Sequence, residues 1–253
     1  MYFDSHAHYD DERFEEDRYE LIERIHEEGV DYIVNAAADI PSCYTSLALA
    51  EKYPFIYCSI GVHPHDAKTL NDERMNELKE LAKKEKVVAI GEIGLDYYYD
   101  SSPRDEQRKW FKAQLELAKE LDLPVIIHSR EACQETFDTI MASGVKEGVI
   151  HCFSGSSELA KEYVKRGFYI GIGGALTFKN ARRAVEVVET IGIEHILIET
   201  DAPYMTPVPH RGKRNDSSYL EHVVEKIAEI KGMTPEEVCE KTKENAKKLF
   251  RIK

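Results

Sequence analysis

The chain of 253 residues carries 34 lysines and arginines against 47 aspartates and glutamates, a formal net charge of −13. Hydrophobic residues make up 42% and charged residues 32%, a balance typical of soluble globular proteins. So acidic a chain is poorly suited to broad, sequence-independent binding of nucleic acid, because that binding depends on lysine and arginine neutralising phosphates. A local positive site built from bound metal ions is compatible with this charge.

The N-terminus and the cysteines predict a cytoplasmic protein. The sequence begins MYFDSHAHYD, which has neither the basic nor the apolar segment of a secretory signal. The uncharged stretch of residues 167–178 is too short for a bilayer, which takes about 20 apolar residues. The five cysteines are scattered and form no CxxC pair, which argues against disulfides. We expect no membrane contact and no obligate protein partner.

Short apolar runs alternate along the chain with longer amphipathic segments. Runs rich in β-branched and aromatic residues are typical of buried parallel strands, and apolar residues at three- and four-residue spacing are typical of helices. In chain order, the predicted strands are residues 2–3, 32–37, 55–60, 87–90, 124–127, 148–150, 168–172 and 195–198. The helical stretches that stand out are residues 13–28, 71–84, 104–121, 157–165, 181–191, 218–230 and 234–250.

Eight strand-then-helix units in about 250 residues predict an α/β fold of the (β/α)8 TIM-barrel type. We expect residues 1–253 to form a single domain with an extra C-terminal helix. An open doubly wound sheet is the alternative, because it shares the alternation. Its glycine-rich phosphate-binding fingerprints are missing, since Gly171-Ile-Gly173-Gly174 does not fit GxGxxG. The barrel is therefore favoured.

Histidine or carboxylate side chains occur at the carboxyl ends of six predicted strands, where barrel enzymes place their active sites. These residues are Asp4, His6, His8, His63, His65, Glu92, His128, His151, Glu199 and Asp201. Each alone has an ordinary structural explanation, but the set would require several independent coincidences. By contrast, His26 and His222 lie on predicted helices and His195 precedes the last strand, so we assign them structural or surface roles.

Imidazole and carboxylate ligands without thiolate suit Zn²⁺, Mn²⁺ or Co²⁺, with Mg²⁺ also compatible. Four histidines, a glutamate and an aspartate exceed what one catalytic ion needs, since three protein ligands plus water suffice. The surplus predicts two divalent cations separated by about 3.5–4 Å, with a carboxylate bridging them.

Long, ordered motifs identify a resemblance that runs essentially from end to end. They are DSHAH (4–8), GVHPH (61–65), GEIGLDYY (91–98), PVIIHSRE (124–131), HCFSG (151–155), ETDAPY (199–204) and PVPHRGKRN (207–215). The chain resembles the TatD family of metal-dependent deoxyribonucleases, within the amidohydrolase-like TIM barrels. The resemblance implies one ion on His6, His8 and Asp201, a second on His128 and His151, and a bridging Glu92. None of these six positions departs from the family pattern.

The expected activity is a deoxyribonuclease that trims DNA strand ends. In this hypothesis Asp201 orients and deprotonates the attacking water, and Glu92 holds the ions at the required separation. Contacts to phosphate oxygens would come from non-ligand donors around the rim, and a tyrosine cluster at 97–99 offers either a stacking surface for a base or ordinary packing. The candidate donors are His63, Arg130, Arg211, Lys213 and Arg214.

Two alternatives stay open at this stage. The same ions polarise carbonyl and phosphoryl oxygens alike, so a hydrolase of an ester, an amide or the acyl bond of a charged tRNA, such as a D-aminoacyl-tRNA deacylase, fits the ligand set. The basic loop at 211–214 favours phosphate. A metal-binding module without turnover is the other alternative. In each of these metal-dependent hypotheses, we expect metal binding to weaken below about pH 6.5, because ligating histidines must be neutral.

Overall fold

The computed structural model describes residues 1–253 and contains eight parallel strands in one continuous sheet. The strands are β1 (Tyr2–Ala7), β2 (Val30–Ala36), β3 (Ile56–Ile60), β4 (Val87–Asp96), β5 (Val125–Arg130), β6 (Gly148–Ile150), β7 (Phe168–Ile172) and β8 (Ile196–Ile198). Each strand pairs with the next in chain order. Backbone hydrogen bonds from Asp201 to His6 (2.9 Å) and from His8 to Ala202 (2.7 Å) join the last strand to the first. The predicted TIM barrel is confirmed.

Helices separate the strands and cover the outside of the barrel. They are α1 (Arg18–Glu27), α2 (Ile40–Lys52), α3 (Asp72–Leu81), α4 (Arg104–Leu121), α5 (Cys133–Ser143), α6 (Ser157–Val164), α7 (Arg182–Thr190), α8 (Leu220–Lys231) and α9 (Pro235–Leu249). The sequence pattern had singled out all of these except α2 and α5. No helix is both long and apolar enough to cross a membrane.

Strand β4 extends further than the apolar run that predicted it. The run ends at Ile90, but the strand continues to Asp96, so Glu92 lies within the strand and does not follow it. His128 likewise lies within β5. The reason is that a polar side chain directed into the mouth of the barrel interrupts the hydrophobic pattern without interrupting backbone pairing, so Gly94 still pairs with His128.

Two apolar cores hold the barrel together. A cluster of 57 buried residues packs the helices against the sheet. A second cluster of 12 residues fills the end of the barrel where the strands begin, and the last residues of α9 close that end. There Phe250 stacks on Phe3 with ring centroids 6.1 Å apart. Because the bottom is sealed by apolar side chains, polar chemistry is confined to the opposite end.

Candidate metal centre

Six histidine and carboxylate side chains from distant parts of the chain converge at the carboxyl end of the barrel. They are His6, His8, Glu92, His128, His151 and Asp201. All but His6 line a cleft of about 610 Å³, and His6 is fully buried beneath it. With His63, their potential ligand atoms form three overlapping groups, and within each group the atoms lie within 4.8 Å of one another. The groups are His6, His8 and Asp201; His6, Glu92 and His151; and His63, Glu92 and His128.

The first group consists of His6, His8 and Asp201. The Nε2 atoms of His6 and His8 are 3.0 Å apart. Oδ1 of Asp201 lies 3.7 Å from Nε2 of His6 and 3.4 Å from Nε2 of His8. His6 and His8 reach the same point because residues two apart on an extended strand face the same side.

We treat His128 and His151, which come from β5 and from the end of β6, as the second group because both approach the same oxygen of Glu92. Nδ1 of His128 lies 2.8 Å from Oε1 of Glu92, and Nε2 of His151 lies 3.5 Å from the same oxygen. The other oxygen of this carboxylate, Oε2, lies 3.3 Å from Nε2 of His6 and 3.6 Å from Nε2 of His8. Glu92 therefore presents one oxygen to each group.

The outward-facing ring nitrogens determine how three of these histidines can bind a cation. Nδ1 of His8 lies 2.8 Å from the carbonyl oxygen of Ala36, which can only accept a hydrogen bond. Nε2 of His128 lies 3.1 Å from Oδ2 of Asp96, and Nδ1 of His151 lies 3.2 Å from Oε1 of Glu199. A neutral ring with its proton on that side keeps a lone pair on the nitrogen that faces the cluster. This donor set fits a divalent cation.

The electrostatics of the cluster follow from burial among mixed charges. Burial opposes the charge of His8, but the hydrogen bond to Asp201 and the negative charge of Glu92 outweigh it and raise the pKa of His8 to about 9. For His151, burial is similarly outweighed by Glu199 and Glu92, which raise its pKa to about 10. Burial would raise the pKa of Glu92, yet the surrounding histidines hold it well below its usual value. Without metal, His8 and His151 therefore hold protons at neutral pH, whereas burial lowers the pKa of His6.

His63 differs from the other histidines of the cleft. Its Nδ1 accepts a hydrogen bond from the backbone N–H of His65 at 3.2 Å, so the neutral ring carries its proton on Nε2. That Nε2 lies 3.5 Å from Oε1 of Glu92. Burial and the charge of His128 hold the pKa of His63 well below its usual value. His63 is therefore arranged as a neutral hydrogen-bond donor at the edge of the cluster.

The remaining predicted substrate contacts fall into two places. Arg130 lines the cleft, and its guanidinium lies 4.0 Å from the ring centroid of Tyr98 and 4.8 Å from that of Tyr99. The basic loop does not line the cleft. Within it, Arg211 covers the ring of Phe178 and Lys213 is exposed, whereas Arg214 is paired with Asp17.

Two carboxylates beside the cluster had no assigned role in the sequence. Asp96 lies beside His128 and also 2.9 Å from Nε2 of His65, and Glu199 lies beside His151. For Asp96 a signal exists in the strand period, because it lies four residues after Glu92 within β4 and so faces the same side. Glu199 and Asp201 lie beyond the end of β8, where the strand period does not apply. By contrast, the carboxylate of Asp4 turns away and accepts hydrogen bonds from Thr200 and Ser217.

Local backbone geometry makes room for these carboxylates. A Cβ atom on Gly171 would lie 2.4 Å from Oε2 of Glu199, so only glycine leaves space for that side chain. Gly94 has a φ of +152°, and a Cβ there would meet the carbonyl oxygen of His128. Asp201 itself adopts a φ of +56°, a left-handed conformation that non-glycine residues seldom adopt outside functional sites.

Comparison with known proteins agrees with this geometry. Residues 3–251 match the family model described as TatD related DNase. The chain is 48% identical to the uncharacterized metal-dependent hydrolase YabD of Bacillus subtilis, with all of both chains covered. It is 35% identical to the 3′-5′ ssDNA/RNA exonuclease TatD of Salmonella typhimurium, with 99% of each chain covered.

The fold comparison gives the same result. The crystal structure of YJJV, a TatD homologue from Escherichia coli, superposes with a TM-score of 0.94 at 31% sequence identity, covering 100% of this chain and 98% of the other. Both the motifs and the barrel are thus shared over the full length. The chain belongs to the TatD family of metal-dependent hydrolases.

Proposed function

We propose that the protein hydrolyses phosphodiester bonds at the ends of single-stranded DNA with the help of two divalent cations. One observation carries this proposal: the two oxygens of Glu92 face two separate groups of ligand atoms, at 3.3 Å from His6 and 2.8 Å from His128. A carboxylate so placed is suited to bridging two cations. A single-ion site would leave one of the two groups without a role.

The ligands of each cation follow from the same distances. His6, His8 and Asp201, whose ligand atoms form one close group, would hold the first ion. His128 and His151, which both approach Oε1 of Glu92, would hold the second, with Glu92 shared. This nitrogen-rich set favours Zn²⁺, Mn²⁺ or Co²⁺ over Mg²⁺. When bound, such a pair of cations activates a water molecule and neutralises the charge of the phosphate.

Asp201 is placed to take the proton of the attacking water. Its carboxylate lines the cleft, and although burial opposes its charge, the hydrogen bond to His8 and the charge of His151 hold its pKa below the usual value. Asp201 is therefore ionised at neutral pH and available as a proton acceptor. A positioned general base contributes about 10²–10⁴-fold to a rate.

His63 and Arg130 are placed to bind the phosphate. His63 directs an N–H into the cleft, as its hydrogen bond from the backbone of His65 requires. Arg130 lines the same cleft and forms no salt bridge, so its charge is available to an anion. The exposed ring of Tyr99 beside it can stack with a nucleobase. These contacts favour a nucleic acid phosphate over a neutral ester.

The relatives support a nuclease as well. The Salmonella relative is named a 3′-5′ ssDNA/RNA exonuclease, which is the substrate class that the phosphate-binding residues suit. A cleft of about 610 Å³ holds a strand end without a long basic groove, which is consistent with the net charge of −13.

The test is an assay of metal-depleted protein to which Mg²⁺, Mn²⁺ or Zn²⁺ is restored. Its substrates are end-labelled single-stranded DNA, duplex DNA, an aminoacyl-tRNA and a neutral ester. We expect metal-dependent loss of terminal nucleotides from single-stranded DNA, abolished in Asp201→Asn. Turnover of the aminoacyl-tRNA or the ester without cleavage of DNA would overturn the proposal in favour of an acyl hydrolase.

A further inference from the structure

A second concavity lies beside the metal cleft. It has a volume of about 520 Å³ and is formed by residues that follow β6, β7 and β8 at the same end of the barrel. Met205 lines both this concavity and the metal cleft, and Cys152 lines it directly after the cleft residue His151. We call it the β7–β8 groove. The two spaces are therefore neighbours that share Met205 as a wall.

The groove combines an apolar floor with a cationic edge. Phe153, Leu176 and Phe178 contribute apolar surface, and Arg182 and Arg183 line it at the start of α7. Neither arginine forms a salt bridge, and both are exposed. The ring of Phe178 lies 4.0 Å from the guanidinium of Arg211. Aromatic rings and guanidinium planes both stack with nucleobases.

The rim of the barrel beside the groove is locally cationic. Residues 173–185 and 202–215, which follow β7 and β8, contain no aspartate or glutamate. Their cations are Lys179, Arg182, Arg183, Arg211, Lys213 and Arg214, of which Arg214 is paired with Asp17. Asp10, Asp11 and Asp66 line the neighbouring metal cleft and not the groove, although Asp11 accepts a hydrogen bond from Tyr204 in the 202–215 segment. In a protein of net charge −13, a polyanion is therefore attracted to the groove.

We propose that the β7–β8 groove binds the part of a single-stranded nucleic acid that continues beyond the scissile phosphate. Phe178 and Arg211 stack with its bases, and Arg182 and Arg183 contact its phosphates. The proposal rests on the proposed nuclease function and adds the path that the strand takes away from the metal centre. An acidic protein segment would match the charge, but it would not use the stacking surface.

The test compares substrates of different length. The measured quantity is the length ratio, which is kcat/KM for a thymidine oligonucleotide of about 12 residues divided by kcat/KM for a thymidine dinucleotide. We expect Arg182→Glu/Arg183→Glu to lower this length ratio by at least about tenfold. Phe178→Ala should lower the same ratio, and Phe178→Tyr should restore it. The matched control is Lys83→Glu/Lys84→Glu, an exposed pair just before β4 at the opposite end of the barrel. If the length ratio of the groove variants equals that of this control, the proposed role of the groove is overturned.

A binding measurement separates failure of the groove from failure of the nuclease proposal. Fluorescence anisotropy of the labelled oligonucleotide with metal-depleted protein reports the groove without turnover. Loss of two phosphate contacts should reduce the slope of log K against log salt by about 1.4, or about 0.7 per contact. Binding that depends on the groove residues, without any cleavage, would overturn the nuclease proposal and support the proposed groove. Cleavage together with unchanged binding and an unchanged length ratio would overturn the groove and support the nuclease proposal. Preferential binding of poly-glutamate over the oligonucleotide would also overturn the groove.

Discussion

The carboxylate of Glu199 lies 3.2 Å from Nδ1 of His151, on the side of the ring away from Glu92. Asp96 takes the same position behind His128, at 3.1 Å from Nε2. Both histidines of the second group therefore have a carboxylate behind them. In the first group, Nδ1 of His8 faces only the carbonyl oxygen of Ala36, and no carboxylate lies behind His6. Nδ1 of His6 and Nδ1 of His151 are both buried without a hydrogen bond, so the two groups differ in the nearby carboxylate and not in hydrogen bonding at these atoms.

We expect Glu199→Gln to weaken metal binding by about 10–100-fold, since a carboxylate behind a ligating histidine fixes the ring and raises its basicity. Isothermal titration of metal-depleted protein with Zn²⁺ or Mn²⁺ measures this directly. The control is Glu240→Gln, at an exposed position of α9. An affinity equal to that of the control would show that Glu199 only fills space beside Gly171.

The asymmetry between the two groups predicts stepwise loss of metal. The ion on His128 and His151 should be retained at chelator concentrations that remove the ion on His6, His8 and Asp201, because only the former pair has carboxylates behind it. Metal content after graded dialysis against a chelator should fall in two phases. In Asp96→Asn the more resistant phase should shift to lower chelator concentration. Loss of all metal in a single phase would contradict the asymmetry.

Metal binding should release protons at neutral pH. The pKa of His8 is raised to about 9 and that of His151 to about 10, so both are charged in the metal-free protein near pH 7. Each must lose its proton to bind a cation, so about two protons should leave per protein near pH 7.5. Titrations in buffers of different ionisation enthalpy count them. Absence of proton release would mean that these histidines are already neutral.

The same two histidines set the pH dependence of stability without metal. Their pKa values are higher in the folded than in the unfolded chain, so the folded state holds their protons more tightly. This contribution is fully present below about pH 6.5 and is lost as pH rises through about 9 and 10. The melting temperature of metal-depleted protein should therefore fall between pH 7 and pH 10. The metal-loaded protein should lack this component, since its ligating histidines are already deprotonated.

Phe250→Ala should destabilise the protein by about 3–5 kcal/mol, because it leaves a cavity where the ring packs on Phe3 at the sealed end of the barrel. Urea unfolding of the metal-loaded protein measures the change. Lys248→Ala, at an exposed position of α9 two residues before Phe250, should stay within about 0.5 kcal/mol of the wild type. Equal stability of the two variants would show that the C-terminal segment is not part of the core.

Much of the architecture and the candidate ligand set followed from the sequence alone. The alternation of apolar runs and amphipathic segments is a local pattern, and it was enough to predict the barrel and its extra helix α9. The positions of His6, His8, His151 and Asp201 at the carboxyl end of the barrel followed from that pattern, whereas His128 lies within β5 and not after it. Local patterns were less successful for β4, which continues past Glu92 because polar side chains in the barrel mouth still allow backbone pairing.

Only the tertiary structure decided which atoms face each other. The pairing of Gly94 with His128 sets the register of β4 against β5, and that register brings Asp96 behind His128. The groove beside Met205 likewise depends on segments far apart in the chain, whereas the hydrogen bond that fixes the proton of His63 is local and comes from the backbone N–H of His65. The sequence predicts which segments are buried and with what period their apolar residues recur. The meeting of side chains depends on strand register and barrel closure, which arise only when all eight strands pack together.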